Sequence, residues 1–223
     1  MQDLLTARVP LLQDLVAPEF YELIQRRSQR RVFNDKQLIH HRGDTRPALS
    51  IVESGCVRVG NVGVDGSYLT TSILTRGQTF GEFTLLADLP RTHEATAVGA
   101  TVVTQLSQVQ FRRLYRSDPQ FSTALLKIAL LRTHAILEFV DDLRRLPLTV
   151  RVAKFFLARA QDGELRLRQE DLSFTFGVSR VSMGKALKQL ATEGVLTLGY
   201  GRILLHGPQL RDWVAQGSLV AAV

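Results

Sequence analysis

The chain has 223 residues, of which 45% are hydrophobic, enough for packed cores in two domains. Its 28 lysines and arginines outnumber 21 aspartates and glutamates, and the formal charge of +7 favours polyanionic partners. One cysteine, Cys56, excludes an intramolecular disulfide framework and any zinc or iron–sulfur site that several cysteines of this chain would form.

Two further classes of protein are disfavoured. The N-terminal segment carries Asp3 and no long apolar core, and no stretch reaches the roughly 18 apolar residues of a membrane helix, so we expect an unexported cytoplasmic protein without a membrane span. No Gly-x-Ser-x-Gly elbow, phosphate-binding loop, His-Glu-x-x-His motif or His/Cys metal pair occurs, so we expect neither an enzyme nor a metal site.

The first predicted elements are a helix and a set of strands. Apolar residues between Leu11 and Arg27 recur at spacings of three and four, which predicts one amphipathic helix. From Arg31 to Ser107, β-rich runs predict short strands that together form a sandwich or closed roll. These runs are Ala48–Val52, Cys56–Val59 and Val102–Val103, and the turn signals between strands are Gly43-Asp44, Gly60-Asn61, Asp65-Gly66 and Gly77.

A long helix follows. Asp118 and Pro119 are typical of a helix start, and the segment then runs to about Arg145 without glycine or proline. Residues on one side recur with alternating spacings of four and three, which suits a two-helix coiled coil, although a helix buried against its own domain fits equally well. These residues are Leu126, Leu130, Thr133, Leu137 and Val140. Pro147 ends the helix, and we place a domain boundary there.

The last part of the chain is proportionally the more basic. Arg168 to Phe176 predicts a short helix, Gly177 a turn, and Ser179 the cap of a second helix that ends near Glu193. This arrangement is typical of a helix-turn-helix, whose second helix enters the major groove of DNA.

The second helix has two distinct faces. Met183, Ala186, Leu187 and Leu190 form the face that we expect to be buried. The other face carries three cations and no acid, which suits contact with phosphates and base edges, although an ordinary packing module with a solvated basic face gives the same pattern. Its residues are Arg180, Val181, Gly184, Lys185 and Lys188. Gly194 to Leu205 then predicts a two-stranded wing around Gly199-Tyr200-Gly201, with Tyr200 and Arg202 near its tip.

Several motifs occur in one order along the chain. Phe80-Gly81-Glu82 is followed by Pro90-Arg91-Thr92, then by Leu146-Pro-Leu-x-x-Arg-Val-Ala153, then by Phe176-Gly-Val-Ser-Arg-Val-Ser-Met-Gly-Lys-Ala-Leu-Lys-Gln-Leu190. The set resembles the Crp/Fnr regulators, from about Leu11 to Leu205. The family also places Gly43-Asp44 and Ser54-Gly55 at turns of its β-roll.

The resemblance implies an α+β fold in three parts: a cyclic-nucleotide-binding-type β-roll sensor domain over residues 1–117, a long dimerisation helix over 118–146, and a winged helix-turn-helix DNA-binding domain over 147–223. It implies a homodimer that pairs Leu126, Leu130, Leu137 and Val140 and binds a two-fold symmetric double-stranded DNA site. It also implies contact with RNA polymerase. Activator and repressor remain equal alternatives.

The resemblance further assigns candidate DNA-binding residues. Arg180 and Lys185 stand where the family contacts guanine edges or phosphate, and Val181 replaces a common glutamate, so that it contacts either a thymine methyl or only a gap lined by phosphates. The whole candidate set is Gln169, Ser179, Arg180, Val181, Lys185, Lys188, Tyr200 and Arg202.

Candidate effector-binding residues are implied in the same way. The cassette that holds the phosphate and ribose of a cyclic nucleotide is matched by Gly81, Glu82, Arg91 and Thr92. The alternative is an empty roll, in which Glu82 and Arg91 simply pair with each other. Counting without gaps places Ile136 and Leu137 where the cyclic AMP receptor contacts adenine, and neither can hydrogen-bond a base; Thr133 and His134 are the candidate substitutes. Cyclic AMP, or a cyclic GMP-like nucleotide, is therefore a candidate effector. A cyclic-nucleotide module that acts on a protein partner is the alternative function.

Overall fold

A computed structural model describes residues 9–63, 68–159, 163–165 and 167–220. It contains two compact units, Met1–His134 and Ala135–Val223. The division lies inside the long helix, so the boundary predicted at Pro147 remains a prediction. The turn predicted at Asp65-Gly66 lies outside the described residues. No helix in the described ranges is long and apolar enough to cross a membrane.

The N-terminal unit starts with two short helices where the sequence predicts one. A 3-10 turn spans Leu12–Asp14, and helix α1 spans Pro18–Arg27. Pro18 occupies the first turn of α1, where its missing amide hydrogen and fixed φ suit a helix start, so the helix begins anew there. The apolar stripe is still buried across the break, since Leu12, Val16 and Ile24 all lie in the core.

An antiparallel sheet in the order β1-β6-β3-β4 forms the body of this unit, with β2 added to β6 and β5 added to β3. This is the predicted β-roll. Two long strands replace several short ones, because the runs at Ala48–Val52 and Cys56–Val59 belong to one strand. The strands are β1 Gln29–Phe33, β2 Leu38–His40, β3 Ala48–Val62, β4 Tyr68–Leu74, β5 Thr79–Phe80 and β6 Glu94–Ser107.

Two predicted turns are wrong because their glycines lie inside β3. Gly60 pairs with Thr70 of β4 and with Glu94 of β6, and a Cβ there would overlap the carbonyl of Leu69. Gly55 has a φ of +75° where the register between β3 and β6 shifts, which is a β-bulge and not a chain reversal. The turns at Gly43 and Gly77 are confirmed.

The two faces of the roll contribute to two cores. Leu49 and Ile51 of β3 face helices α1, α3 (Gln108–Ser117) and α4 (Pro119–Arg145), where they pack with Phe111, Phe121 and Leu125. Val52 and Val57 line the inside of the roll with Phe33, Phe80 and Val103. A short helix, α2, spans Glu82–Leu86. Asp118 caps α4 as predicted, since its Oδ1 accepts from the Gln120 amide at 2.7 Å.

The C-terminal unit combines helices with a three-stranded sheet in the order β7-β9-β8. The predicted helix, turn, helix and wing are confirmed. Gly177 has a φ of +62° between the two helices, which a side chain would disfavour. The elements are α5 Leu148–Arg159, β7 Glu164–Leu165, α6 Gln169–Phe176, α7 Arg180–Thr192, β8 Leu196–Gly199, β9 Arg202–Leu205 and α8 Gly207–Val220.

Candidate nucleic-acid interface and effector site

Helix α7 has the two faces that the sequence predicts. Ser179 caps it, since its hydroxyl accepts from the Ser182 amide at 3.1 Å. Met183, Ala186, Leu187 and Leu190 are buried. The cationic face is open to solvent along its length, at Arg180, Val181, Lys185 and Lys188. The unit thus presents a capped helix with positive charge from its first turn onward.

Two residues of α6 engage the first turn of α7. Glu170 forms an ion pair with the guanidinium of Arg180. Gln169 donates from Nε2 to the backbone carbonyl of Arg180 at 2.7 Å. Gly184 makes room for this contact, because a Cβ there would lie 2.6 Å from the side-chain nitrogen Nε2 of Gln169. The sequence missed Glu170, although it lies next to the predicted Gln169.

The wing carries its predicted residues at an exposed tip. Gly199 pairs with Arg202 across the β8–β9 hairpin, and Tyr200 is fully exposed between them. The Arg202 stem packs over Gly199, where a Cβ would lie 2.9 Å from Cγ. An aromatic ring and a cation therefore project together from the wing.

In the N-terminal unit, Gly81 and Arg91 form the centre of the predicted cassette. Gly81 precedes α2 with a φ of +106°, and a Cβ there would overlap the Arg91 guanidinium and the carbonyl of Ala48. Arg91 is only 8% exposed and donates from Nη2 to the Ala48 carbonyl at 3.1 Å. Burial lowers the pKa of Arg91, against the raising effect of the carboxylates of Glu82 and Asp44. A glycine at 81 is thus required for the guanidinium to lie against the cassette backbone.

Glu82 does not form the direct pair with Arg91 that the sequence offered as an alternative. It accepts from Thr79 Oγ1 at 2.7 Å and from Arg132 Nη1 at 3.0 Å, and Arg132 also donates to the Thr79 carbonyl at 2.8 Å. Arg132 lies on α4, and sequence analysis missed it. The pair joins the cassette to the long helix.

The remaining predicted effector residues lie in varied surroundings. The hydroxyl of Thr92 lies 2.9 Å from Nδ1 of His93, beside the cassette arginine. On α4, Thr133 donates to the Ala129 carbonyl of its own helix, and both His134 and Leu137 are exposed. The structure therefore brings Gly81, Glu82 and Arg91 together, while the assignments of Thr92, Thr133, His134 and Leu137 remain predictions.

The cassette residues suit an anionic ligand with hydroxyl groups. The Nε of Arg132 is buried and has no hydrogen-bond partner among the described residues, so a donor remains beside Glu82 and Thr79. A guanidinium supplies charge-assisted hydrogen bonds to a phosphate, and a carboxylate accepts from a ribose hydroxyl. The residues present therefore fit a cyclic nucleotide.

Helix α4 packs inward on one face and is exposed on another, and the coiled-coil pairing of the exposed face remains a prediction. Phe121, Ala124, Leu125 and Ile128 are buried in the core of the unit. The predicted seam lies on exposed helix surface, where Leu130 is 60% and Leu137 61% exposed, with Leu126 and Val140 exposed as well. Contiguous exposed leucines of this kind are typical of an interaction surface.

Comparison with known proteins agrees with both units. A model of the cyclic nucleotide-binding domain matches residues 30–118, and a model of the Crp-like helix-turn-helix domain matches residues 150–213. The chain is 31% identical over 215 residues to the cyclic AMP receptor protein of Thermus thermophilus, covering 93% of this chain and 97% of that protein. It is 27% identical to the CRP-like cAMP-activated global transcriptional regulator of Mycobacterium tuberculosis, covering 91% and 95%.

Solved structures share the architecture. The crystal structure of Thermus thermophilus catabolite activator protein is 29% identical, with a TM-score of 0.56 over 92% of this chain and 98% of that one. A CooA mutant from Carboxydothermus hydrogenoformans has a TM-score of 0.75 at 19% identity, over 93% and 98%, which shows the shared fold alone. On its two domains and its similarity over nearly the whole length, the chain belongs to the Crp/Fnr family of transcription regulators.

Proposed function

We propose that this DNA-binding transcription regulator binds a two-fold symmetric site as a homodimer, under the control of a cyclic nucleotide held by the N-terminal roll. The observation that carries the proposal is the capped, solvent-exposed face of α7, where Arg180, Lys185 and Lys188 stand without an acid on the same face. Such a face matches the major groove in shape and charge.

The DNA-binding roles divide between base and phosphate contacts. Arg180 lies at the start of α7, where recognition helices meet base edges, and its planar fork suits O6 and N7 of one guanine. Lys185 and Lys188 lie further along the same face and suit phosphates. Val181 is exposed and apolar, so it contacts a thymine methyl or no base.

Four other residues complete the proposed surface. Ser179 and Gln169 hold the first turn of α7, through the cap and through the carbonyl of Arg180. Tyr200 and Arg202 project from the wing tip and suit the flanking phosphate backbone.

The proposed dimer rests on the exposed stripe of α4. Leu126, Leu130, Leu137 and Val140 would be removed from water by a second copy of the same helix, at about 25 cal/mol per Å² of buried apolar area. A dimer with two-fold symmetry has two copies of α7, one for each half-site of a two-fold symmetric DNA site.

The proposed effector is a cyclic nucleotide. Arg91 would hold its phosphate and Glu82 its ribose, with Thr92 beside them. The name of the Thermus thermophilus relative refers to cyclic AMP, and the Mycobacterium tuberculosis relative is named as activated by it. Ile136 and Leu137 offer no hydrogen bond to a base, so we expect a weakened or altered selectivity for the purine base. We propose RNA polymerase as a further partner.

The experiment that tests this function is selection of bound sequences from random duplex DNA by the full-length protein, with and without cyclic AMP or cyclic GMP. We expect enrichment of an inverted repeat with half-sites about one helical turn apart, strengthened by a cyclic nucleotide. Failure to enrich any sequence would overturn specific DNA binding. Equal enrichment of an inverted repeat in all three conditions would overturn control by a cyclic nucleotide but leave specific DNA binding intact.

A further inference from the structure

An open groove lies at one end of the roll, beside Arg91, and it has a volume of about 450 Å³. This volume is within the range of small-molecule sites. The groove is lined from α1, β1, β2, the segment before β3, and β6. The lining residues include Arg27, Gln29, Arg31, His40, Asp44, Arg46, Arg91 and Gln105. Gly81, Glu82, Thr92 and Arg132 are not among the described residues that line it, so the groove meets the cassette only at Arg91.

The groove has a strong excess of positive charge. Four arginines line it against one carboxylate, that of Asp44. Asp44 is already engaged, because Arg46 donates to it from Nη2 at 2.8 Å and from Nε at 3.1 Å. The hydrogen bonds from Arg46 lower the pKa of Asp44 to about 2, so Asp44 is ionised at neutral pH and forms an ion pair with Arg46. Arg27, Arg31 and Arg91 therefore form no direct ion pair with the one carboxylate of the groove.

These three arginines are available to a ligand. Neither Arg27 nor Arg31 forms an ion pair with any described residue, and Arg31 makes only a long contact of 3.4 Å to the amide oxygen of Gln29. Both are exposed, whereas Arg91 is buried, so the groove deepens from the first two toward the third. The buried Nε of Arg91 has no hydrogen-bond partner in the described part of the chain. A buried donor of this kind is costly to leave unsatisfied, and an anion oxygen would satisfy it.

The neighbouring histidine supplies a neutral polar group. Burial, and then the charge of Arg91, lower the pKa of His40 to about 4, so its ring is uncharged at neutral pH. It packs on Phe80 with 5.8 Å between ring centroids. Gln29 and Gln105 pair across β1 and β6 and add amide donors to the same wall. The groove thus offers guanidinium, amide and imidazole groups, the chemistry that recognises phosphate or carboxylate oxygens.

We propose that this groove binds a small polyanion, a metabolite with at least two phosphate or carboxylate charges, between Arg27 and Arg31 at the mouth and Arg91 at the inner end. The site shares Arg91 with the proposed nucleotide cassette and otherwise lies outside it. It gives the roll an input that requires no nucleobase and that competes with a nucleotide phosphate for Arg91. A ligand with its charges spread over its length, such as a diphosphate, suits arginines at both ends of the groove.

The test is calorimetric titration of the full-length protein with inorganic pyrophosphate at fixed ionic strength, without divalent cations, and separately with citrate and with cyclic AMP. We expect pyrophosphate or citrate to bind, and the double variant Arg27→Gln/Arg31→Gln to weaken that binding at least tenfold. The control is Arg30→Gln, to be compared with the single variants Arg27→Gln and Arg31→Gln, since each removes one positive charge. Arg30 lies next to Arg31 on β1 but on the other face, where it pairs with Glu53 at 3.0 Å. The control should leave pyrophosphate affinity within twofold.

The outcomes separate the groove from the cassette. Cyclic AMP affinity should stay within twofold in the double variant, and a comparable unfolding midpoint would show that the exposed substitutions leave the fold intact. Absence of binding by both probes in the wild-type protein would overturn the proposal. Equal weakening in the Arg30→Gln control would reduce the effect to general surface charge and overturn it as well. Binding that is unchanged in the double variant but is competed by cyclic AMP would place the anion in the cassette, which also overturns the groove.

Discussion

Arg180 is paired with Glu170 in the free protein, although the proposed base contact needs the same guanidinium. The side chains of this pair are 67% and 42% exposed, so water screens the attraction, and pairs of this kind contribute about 0–1 kcal/mol. A bidentate contact to guanine contributes about 1–3 kcal/mol of discrimination. Cognate DNA should therefore break the ion pair, and Glu170 should act as an internal competitor of the operator.

Two substitutions and their combination measure this competition. Arg180→Ala should weaken binding to a cognate duplex by about 5- to 150-fold, and binding to a scrambled duplex much less. Glu170→Gln should tighten cognate binding by up to about fivefold, because the free protein no longer holds the guanidinium. In the Arg180→Ala background this gain should largely disappear, since nothing remains to be released.

Fluorescence anisotropy isotherms on cognate and scrambled duplexes, at several salt concentrations, give the four affinities. Glu193→Gln is the matched control, because it removes an exposed carboxylate from the other end of α7. An equal gain from Glu170→Gln in both backgrounds would refute the competition and leave only a general loss of negative charge. Equal losses for Arg180→Ala on both duplexes would refute the base contact while leaving DNA binding intact.

Three other perturbations test the rest of the molecule. Leu130→Lys with Leu137→Lys should yield monomers in sedimentation experiments, and a full-strength dimer would place the interface elsewhere. Arg91→Ala should abolish cyclic nucleotide binding in calorimetry, because the phosphate loses its charge-assisted partner, and retained affinity would contradict that role. The pKa of His40 is about 4 in the folded protein and 6.5 in the unfolded chain, so protons bind the unfolded chain first and favour unfolding. The free energy of unfolding should therefore fall by on the order of 3 kcal/mol between pH 7 and pH 4. Urea unfolding of His40→Gln should lack that part of the loss, and parallel curves for both proteins would refute the shift.

The helix-turn-helix and wing could be predicted because their signals are local. Ser179 caps its own helix, Gly177 makes the turn beside it, and Gly199 and Gly201 flank the hairpin tip within a few residues. Each motif fixes a backbone conformation without reference to distant parts of the chain.

The long strands of the roll could not be predicted in the same way. Gly60-Asn61 has the composition of a turn, but Gly60 extends β3 because β4 and β6 flank it closely on both sides. The partner Glu94 lies far along the chain, so a window of neighbouring residues carries no sign of the pairing. The break at Pro18 differs, because a proline in the first turn of a helix is a local signal, and only the common core of Val16 and Ile24 needed the fold to show it.

The candidate site residues could also be predicted only where their signals are local in the sequence. The cassette motif identifies Gly81, Glu82 and Arg91, but the partner of Glu82 is Arg132, which is 50 residues away. Nothing in the pattern of α4 distinguishes Arg132 from an ordinary solvated cation. Its role became evident only when the fold placed α4 beside the cassette.

The position of Arg132 links the cassette to the surface proposed for dimerisation. Arg132 and Leu130 lie two residues apart on α4, one bonded to Glu82 and the other exposed in the leucine stripe. The Glu82–Arg132 pair is largely shielded from water, with side chains 16% and 22% exposed, so the two charges attract more strongly than those of a surface pair. A ligand that takes the hydrogen bonds of Glu82 would have to compete with Arg132, and loss of this pair would free the helix segment that carries the stripe from its bond to the cassette. Because an effector shifts an equilibrium only through contacts that differ between two states, such an exchange of partners at Glu82 would supply the difference that the proposed control of DNA binding requires.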